Sequence, residues 1–169
     1  EEMNRKLTGA LAELHFSPTV NNKNNLLKEN VCESKIFITG NTVIDALKTT
    51  VKEDYEFHSV EGVDFSKKVI VVTAHRRENL GEPLENICSA LREIALSYSD
   101  EVHIVYPMHM NPAVREVATK FLGNLENVRL IEPVDVCELH NLMKRAYMIM
   151  TDSGGLQEEA PALGKPVLV

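Results

Sequence analysis

The chain has 169 residues, with 18 Lys and Arg against 25 Asp and Glu, a formal charge of −7 and 44% apolar residues. That length suits one globular domain with a fragment of a second, burying about 70% of the surface of the unfolded chain. The acidic balance, the lack of Trp and a complement of only five Phe and four Tyr argue against nucleic acid as a partner, and apolar runs such as 69–72 fall far short of the roughly 20 residues that cross a bilayer, so no membrane partner is expected.

In chain order, the apolar spacing predicts a helix over 4–14, carried by Leu7, Ala10, Leu11 and Leu14, and a more polar helix over 19–30 with Leu26 and Leu27, separated by Pro18. Short β-branched runs then alternate with amphipathic stretches: strand 36–39 and helix 43–52, strand 69–73 and helix 83–97, strand 102–106 and helix 112–121. The beat continues with strand 128–131 and helix 137–145, strand 147–151 and helix 156–163, and a last strand over 166–169. Strands that are apolar throughout belong to a parallel sheet covered on both faces. The expected fold class is therefore α/β, a doubly wound, Rossmann-like parallel sheet. Residues 1–35 lack the beat and are assigned to the tail of a preceding domain and a connector, leaving 36–169 as the self-contained unit. The acidic stretch 53–67 has no clear period and is expected to be a surface loop too long to stay rigid.

Cys32, Cys88 and Cys137 are widely spaced and odd in number, which argues against a disulfide framework and for a reducing, cytoplasmic setting. No Cys-x-x-Cys or His-Glu-x-x-His spacing occurs, so no metal site is expected. The first residue is not Met, and 164–169 stops within an apolar run, so truncation at both ends is expected.

In open parallel sheets ligands lie beyond the carboxyl ends of the strands, so the loops that leave the strands are the places to search. The loop at 151–159 reads Thr-Asp-Ser-Gly-Gly-Leu-Gln-Glu-Glu and opens a helix. Gly154 and Gly155 would let backbone N–H groups approach a phosphate, Ser153 could add a hydroxyl donor, and Glu158 or Glu159 has acceptor oxygens suited to a ribose diol. An equally open reading makes Ser153 a helix cap and the two carboxylates complements to the helix dipole. The loop 73–81 sets His75, Arg76 and Arg77 at a strand end, as a fork for phosphate oxygens and a proton carrier, or else as a solvated basic turn paired with Glu78. His109, in Tyr-Pro-Met-His-Met-Asn-Pro at 106–112, comes to the same edge as a ligand contact or a structural histidine. The loop 39–45 reads as a helix cap. With no Gly-x-Gly-x-x-Gly, no P-loop and no Asp-x-Asp pair, dinucleotide dehydrogenases, P-loop NTPases and metal-dependent sugar transferases lose weight. The residues point to a metal-free α/β module gripping a nucleoside diphosphate or a phosphosugar.

At these loops the sequence resembles the non-hydrolysing bacterial UDP-N-acetylglucosamine 2-epimerases. The likeness runs along the chain through Glu1-Glu2-Met3-Asn4-Arg5, His15 to Thr19, Gly40 to Ala46, His75 to Asn79, Pro107 to Pro112 and Thr151 to Val169. It implies a GT-B-type enzyme of two domains, this chain being its truncated C-terminal, UDP-binding half, with UDP-N-acetylglucosamine in the cleft between domains. It also implies no cofactor and no metal, a homodimeric full-length protein and a role in making cell-surface polysaccharide. Carried over by this likeness, Ser153, Gly154, Gly155, Glu159 and Arg76 bind UDP, the Ser-Gly-Gly turn taking phosphate and Glu159 the ribose. His75 and Glu1 act in catalysis, and Arg76 and His109 belong to a second, allosteric pocket. Where relatives commonly place Phe near the uracil, this chain has Leu139. Family members eliminate UDP to give 2-acetamidoglucal and add it back with the opposite configuration at C2. Alone, the chain is expected to bind UDP without turnover. The alternatives are a non-catalytic nucleotide-sugar-binding module and a GT-B glycosyltransferase domain, the latter disfavoured by the His-Arg-Arg-Glu-Asn loop.

Overall fold

The computed structural model describes residues 2–169. Glu1, to which a catalytic carboxylate was assigned, lies outside the described residues. Backbone contacts divide the chain into two compact units between Ala46 and Leu47.

The first unit contains α1 (Glu2–Leu11), β1 (His15–Ser17), α2 (Val20–Lys28), a single 3-10 turn at Glu33–Lys35 and β2 (Ile36–Ile38), and leads into α3 (Thr42–Thr50). Thr19 caps α2, its hydroxyl accepting from the Asn22 N–H. Arg5 of α1 is clasped between Glu2 and Glu29, at 3.0 and 2.6 Å, which ties α1 to the end of α2. Here the structure departs from expectation. The strand at 36–38 does not open the large sheet but pairs in parallel with β1, His15 opposite Ile36 and Ser17 opposite Ile38. A strand of three residues is too short for an alternating pattern to register in sequence.

The second unit alternates strictly: β3 (Lys68–Thr73), α4 (Glu82–Ser97), β4 (Val102–Pro107), α5 (Pro112–Leu122), β5 (Val128–Ile131), α6 (Val136–Arg145), β6 (Met148–Thr151), α7 (Leu156–Ala162) and β7 (Val167–Leu168). All five strands are parallel, in the order β5-β4-β3-β6-β7. Successive side chains of a strand point to opposite faces, and β3 shows the result. Ile70 and Val72 pack with Leu84, Cys88 and Leu91 of α4 and with Val114, Ala118 and Leu122 of α5. Val69 and Val71 pack instead with Leu142 and Met143 of α6 and with Leu156 and Ala160 of α7. Helices thus cover both faces, as a doubly wound α/β fold requires. Among the described residues no helix is long and apolar enough to cross a membrane.

The stretch 53–67 contains no helix or strand, as expected of a loop, but α6 ties it down. Glu138, which is buried, accepts from the N–H groups of His58 and Ser59 at 3.0 and 2.7 Å and from the Ser59 hydroxyl at 3.2 Å. At the far end of α6, Arg145 donates to the carbonyls of Glu53 and Tyr55 and lies 4.8 Å from the centre of the Phe57 ring. These anchors come from a helix 79 to 92 residues away, so no local pattern announces them.

Candidate functional site

The strand order fixes where a ligand can lie. From β3 the chain crosses to β4 on one side, whereas β6 lies on the other, so the loops leaving β3 and β6 diverge and open a crevice at their carboxyl ends. Thr73 and Thr151, the last residues of these strands, stand opposite each other, and their hydroxyls are 2.6 Å apart. The arginine-bearing loop and the glycine turn therefore start from the same rim.

Asp152 joins them. Its Oδ2 accepts from the backbone N–H groups of His75 at 2.8 Å and Arg76 at 2.7 Å and from the Asn79 side-chain amide at 3.0 Å. Burial opposes the charged carboxylate, but these donors, with the nearby His75 ring, outweigh it and hold the Asp152 pKa below its ordinary value. Oδ1 is buried without a hydrogen-bond partner, 3.6 Å from His75 Nδ1. From the other side, the Tyr106 hydroxyl donates to the Ala74 carbonyl at 2.6 Å. The His75 ring, its side chain 40% exposed, stacks on His109 with centroids 5.1 Å apart and planes 8° from parallel.

The Ser153 N–H turns back onto Thr151 Oγ1 at 2.9 Å. Neither Gly154 nor Gly155 has a positive φ, so backbone conformation does not call for glycine here. Nor does close packing within the chain: a Cβ at 154 would stand 3.4 Å from Arg76 Nη2, and one at 155 would stand 3.7 Å from Glu159 Oε1 and 3.9 Å from Ser153 Oγ, all ordinary contact distances.

A cleft of about 360 Å³ opens on this turn, walled by Thr73, His75, Ser153, Gly155 and Glu159 on the polar side and by Val134, Val136, Leu139 and Leu156 on the apolar side. His140 also lines it, with Nε2 3.3 Å from Glu159 Oε2. A larger cleft, about 470 Å³, lies beside Asp152 and takes in Arg76, Asn79 and Gln157 among aliphatic walls that include Val72, Ile87 and Met150. None of Ser153, Gly155, His75 and Glu159 reaches it, so the smaller cleft is the candidate site.

Of the residues singled out from sequence, His75, Ser153, Gly155, Glu159 and Leu139 share this cleft, with Gly154 inside the same turn. Glu158 is exposed and is not in its wall. Arg76 points to the larger cleft and pairs with Glu78 at 3.2 Å, and His109 is reached only through its stack on His75. Sequence reasoning missed Asp152 as the joint between the loops and His140 as the neighbour of Glu159. Both matter only through partners 19 to 90 residues away, a relation that no motif carries.

The fold and the cleft together define a doubly wound parallel α/β module with a glycine turn at its switch point, a carboxylate in the wall and an apolar flank. The family model for UDP-N-acetylglucosamine 2-epimerase matches residues 1–169, and the chain belongs to that family. UDP-N-acetylglucosamine 2-epimerase of Bacillus subtilis is 55% identical over the whole chain, which covers 44% of that protein. A Staphylococcus aureus MnaA–UDP co-structure is 50% identical with a TM-score of 0.88, all of this chain matching 46% of it. The Neisseria meningitidis UDP-GlcNAc 2-epimerase bound to UDP-GlcNAc is 43% identical, with a TM-score of 0.83 and 47% of it covered. The chain spans less than half the length of these relatives.

Proposed function

We propose that the chain is the UDP-binding part of an enzyme that epimerises UDP-N-acetylglucosamine at C2 to UDP-N-acetylmannosamine, by eliminating UDP and adding it back. The observation that carries this reading is the convergence of the His75 loop and the Ser153-Gly154-Gly155 turn on one cleft with Glu159 in its wall. Family membership and the UDP and UDP-GlcNAc named for the related structures support it. In this reading the turn and His75 meet the diphosphate, Glu159 accepts from the ribose hydroxyls, and Leu139 with Val134 and Val136 faces the uracil. The whole protein acts as a cytoplasmic homodimer of GT-B type.

The chemistry suits these residues. Breaking the bond between sugar C1 and UDP builds negative charge on the departing diphosphate. Donors fixed in advance at that point stabilise the transition state, by about 3 kcal/mol each where such donors have been removed from other enzymes. Removing the C2 proton needs a base within reach, a role given to Glu1. The isolated chain binds UDP weakly and does not turn over, since the opposite wall of the cleft belongs to the rest of the enzyme.

Two measurements test the proposal. Full-length protein given UDP-N-acetylglucosamine in D2O, without NAD or metal, should form the manno epimer with deuterium at C2; unlabelled product would overturn elimination. In the chain itself, Glu159→Ala should weaken UDP binding about tenfold, as for loss of a charge-assisted hydrogen bond, and Glu158→Ala by less than twofold. Equal effects in calorimetry would show that Glu159 does not hold the ribose.

A further inference from the structure

Glu159 lines the cleft, and one of its carboxylate oxygens lies against a buried imidazole. His140 on α6, its side chain 3% exposed, brings Nε2 to 3.3 Å from Glu159 Oε2. Across the ring, Nδ1 lies 2.8 Å from Thr50 Oγ1. The neighbouring residues latch these groups in place: the Asn141 amide donates to the Thr50 carbonyl at 2.8 Å, and its Oδ1 accepts from the Lys52 N–H at 2.8 Å.

The direction of the chain follows from donor and acceptor chemistry. A carboxylate only accepts, so the single proton of a neutral imidazole belongs on Nε2, facing Glu159. Nδ1 is then an acceptor and takes the Thr50 O–H. Residues 50, 140 and 159 thus form one line that ends on Oε2, while Oε1 is the oxygen beside Gly155, where a Cβ would stand 3.7 Å away.

We infer that His140, oriented by Thr50, is the positioning residue for Glu159: it occupies Oε2 and so presents Oε1 to the ribose diol of a nucleoside diphosphate. This rests on the nucleotide reading of Glu159 given above. The physical gain is preorganisation. A glutamate with three free torsions loses rotamer entropy when a ligand fixes it, and a carboxylate fixed beforehand by a buried ring does not.

The test compares UDP with 2′,3′-dideoxy-UDP, which lacks the diol, by calorimetry on the chain and its variants. The unsubstituted chain should prefer UDP by about tenfold, the scale of a hydrogen bond to a charged group. His140→Asn, whose amide reaches only where Nδ1 was, should cut that preference to about twofold while dideoxy-UDP binds as before. His140→Gln, whose amide reaches the Nε2 position, should restore most of it. Thr50→Val should lower the preference about threefold and Thr50→Ser should not. A purely structural histidine would weaken both ligands alike, and that result, or a full preference in His140→Asn, overturns the inference. If His140→Asn does not fold, the Thr50 pair decides by the same ratio. Independently, ¹⁵N NMR of the His140 ring should find the proton on Nε2, and a proton on Nδ1 would overturn the inference. No preference for UDP in the unsubstituted chain, or no UDP binding at all, would instead remove the reading of Glu159 and the inference with it.

Discussion

Glu138 and Asp152 do the same work in two parts of the second unit, and the difference between them separates a structural carboxylate from one at a site. Each accepts two consecutive backbone N–H groups from a loop far away in sequence, His58 and Ser59 for Glu138 and His75 and Arg76 for Asp152. Glu138 uses both oxygens, Oε2 taking the Ser59 hydroxyl. Asp152 gathers all three of its donors on Oδ2 and leaves Oδ1 buried without a hydrogen bond, turned toward the imidazole of His75. A carboxylate that only anchors a loop satisfies itself fully, because an unmet buried acceptor costs stability. One that is left half satisfied beside a histidine at the edge of a cleft holds interaction in reserve.

The sharpest way to break this comparison is to remove Glu138. Glu138→Ala strands two backbone N–H groups, and urea denaturation should show a loss of about 3 kcal/mol. The UDP affinity of the protein that remains folded should change by less than twofold. A large fall in affinity would mean that the 53–67 stretch takes part in the site.

Asp152→Asn should give the reverse pattern. Stability should fall by only about 1 kcal/mol, because the amide oxygen can still accept from His75 and Arg76. UDP affinity should drop about tenfold, because the His75 ring loses the carboxylate oxygen that faces it and with it its fixed orientation. Unchanged affinity would assign Asp152 to the structural class with Glu138.

The smallest expected effect is in the pH dependence. The folded-state pKa of Asp152 is held below its unfolded value, so on acidification the unfolded chain takes up this proton first. The contribution of Asp152 is therefore complete above the ordinary aspartate pKa of about 3.9 and is lost as pH falls through the lower, folded value. The stability difference between the unsubstituted chain and Asp152→Asn should be constant from pH 7 to about 5 and shrink below about 4. A difference that grew in acid would reverse the sign of the argument.

Much of the second unit could be read in advance, because its signals are local. Apolar runs such as Val69 to Val72 fit only a strand covered on both faces, and the spacing of Leu84, Cys88 and Leu91 fits only a helix with one buried side. The glycine turn and the His-Arg-Arg loop stood out in the sequence by their residue types at the ends of strands, and the structure sets those two strands side by side. The short strand at 15–17 escaped because three residues carry too little pattern, and the anchoring of 53–67 escaped because its partners sit on α6.

What the sequence by itself determined about this protein is its alternation of strands and helices, its family and the chemistry carried on its loops. The period of side-chain burial acts within a few residues. Only the tertiary structure decided that β6 would pair with β3, that Asp152 would bind the backbone of His75 and Arg76, and that Thr50, His140 and Glu159 would stand in line. Those contacts join groups far apart along the chain, and they form only once strand order has brought the loops to one rim, since donors and acceptors select partners by position in space.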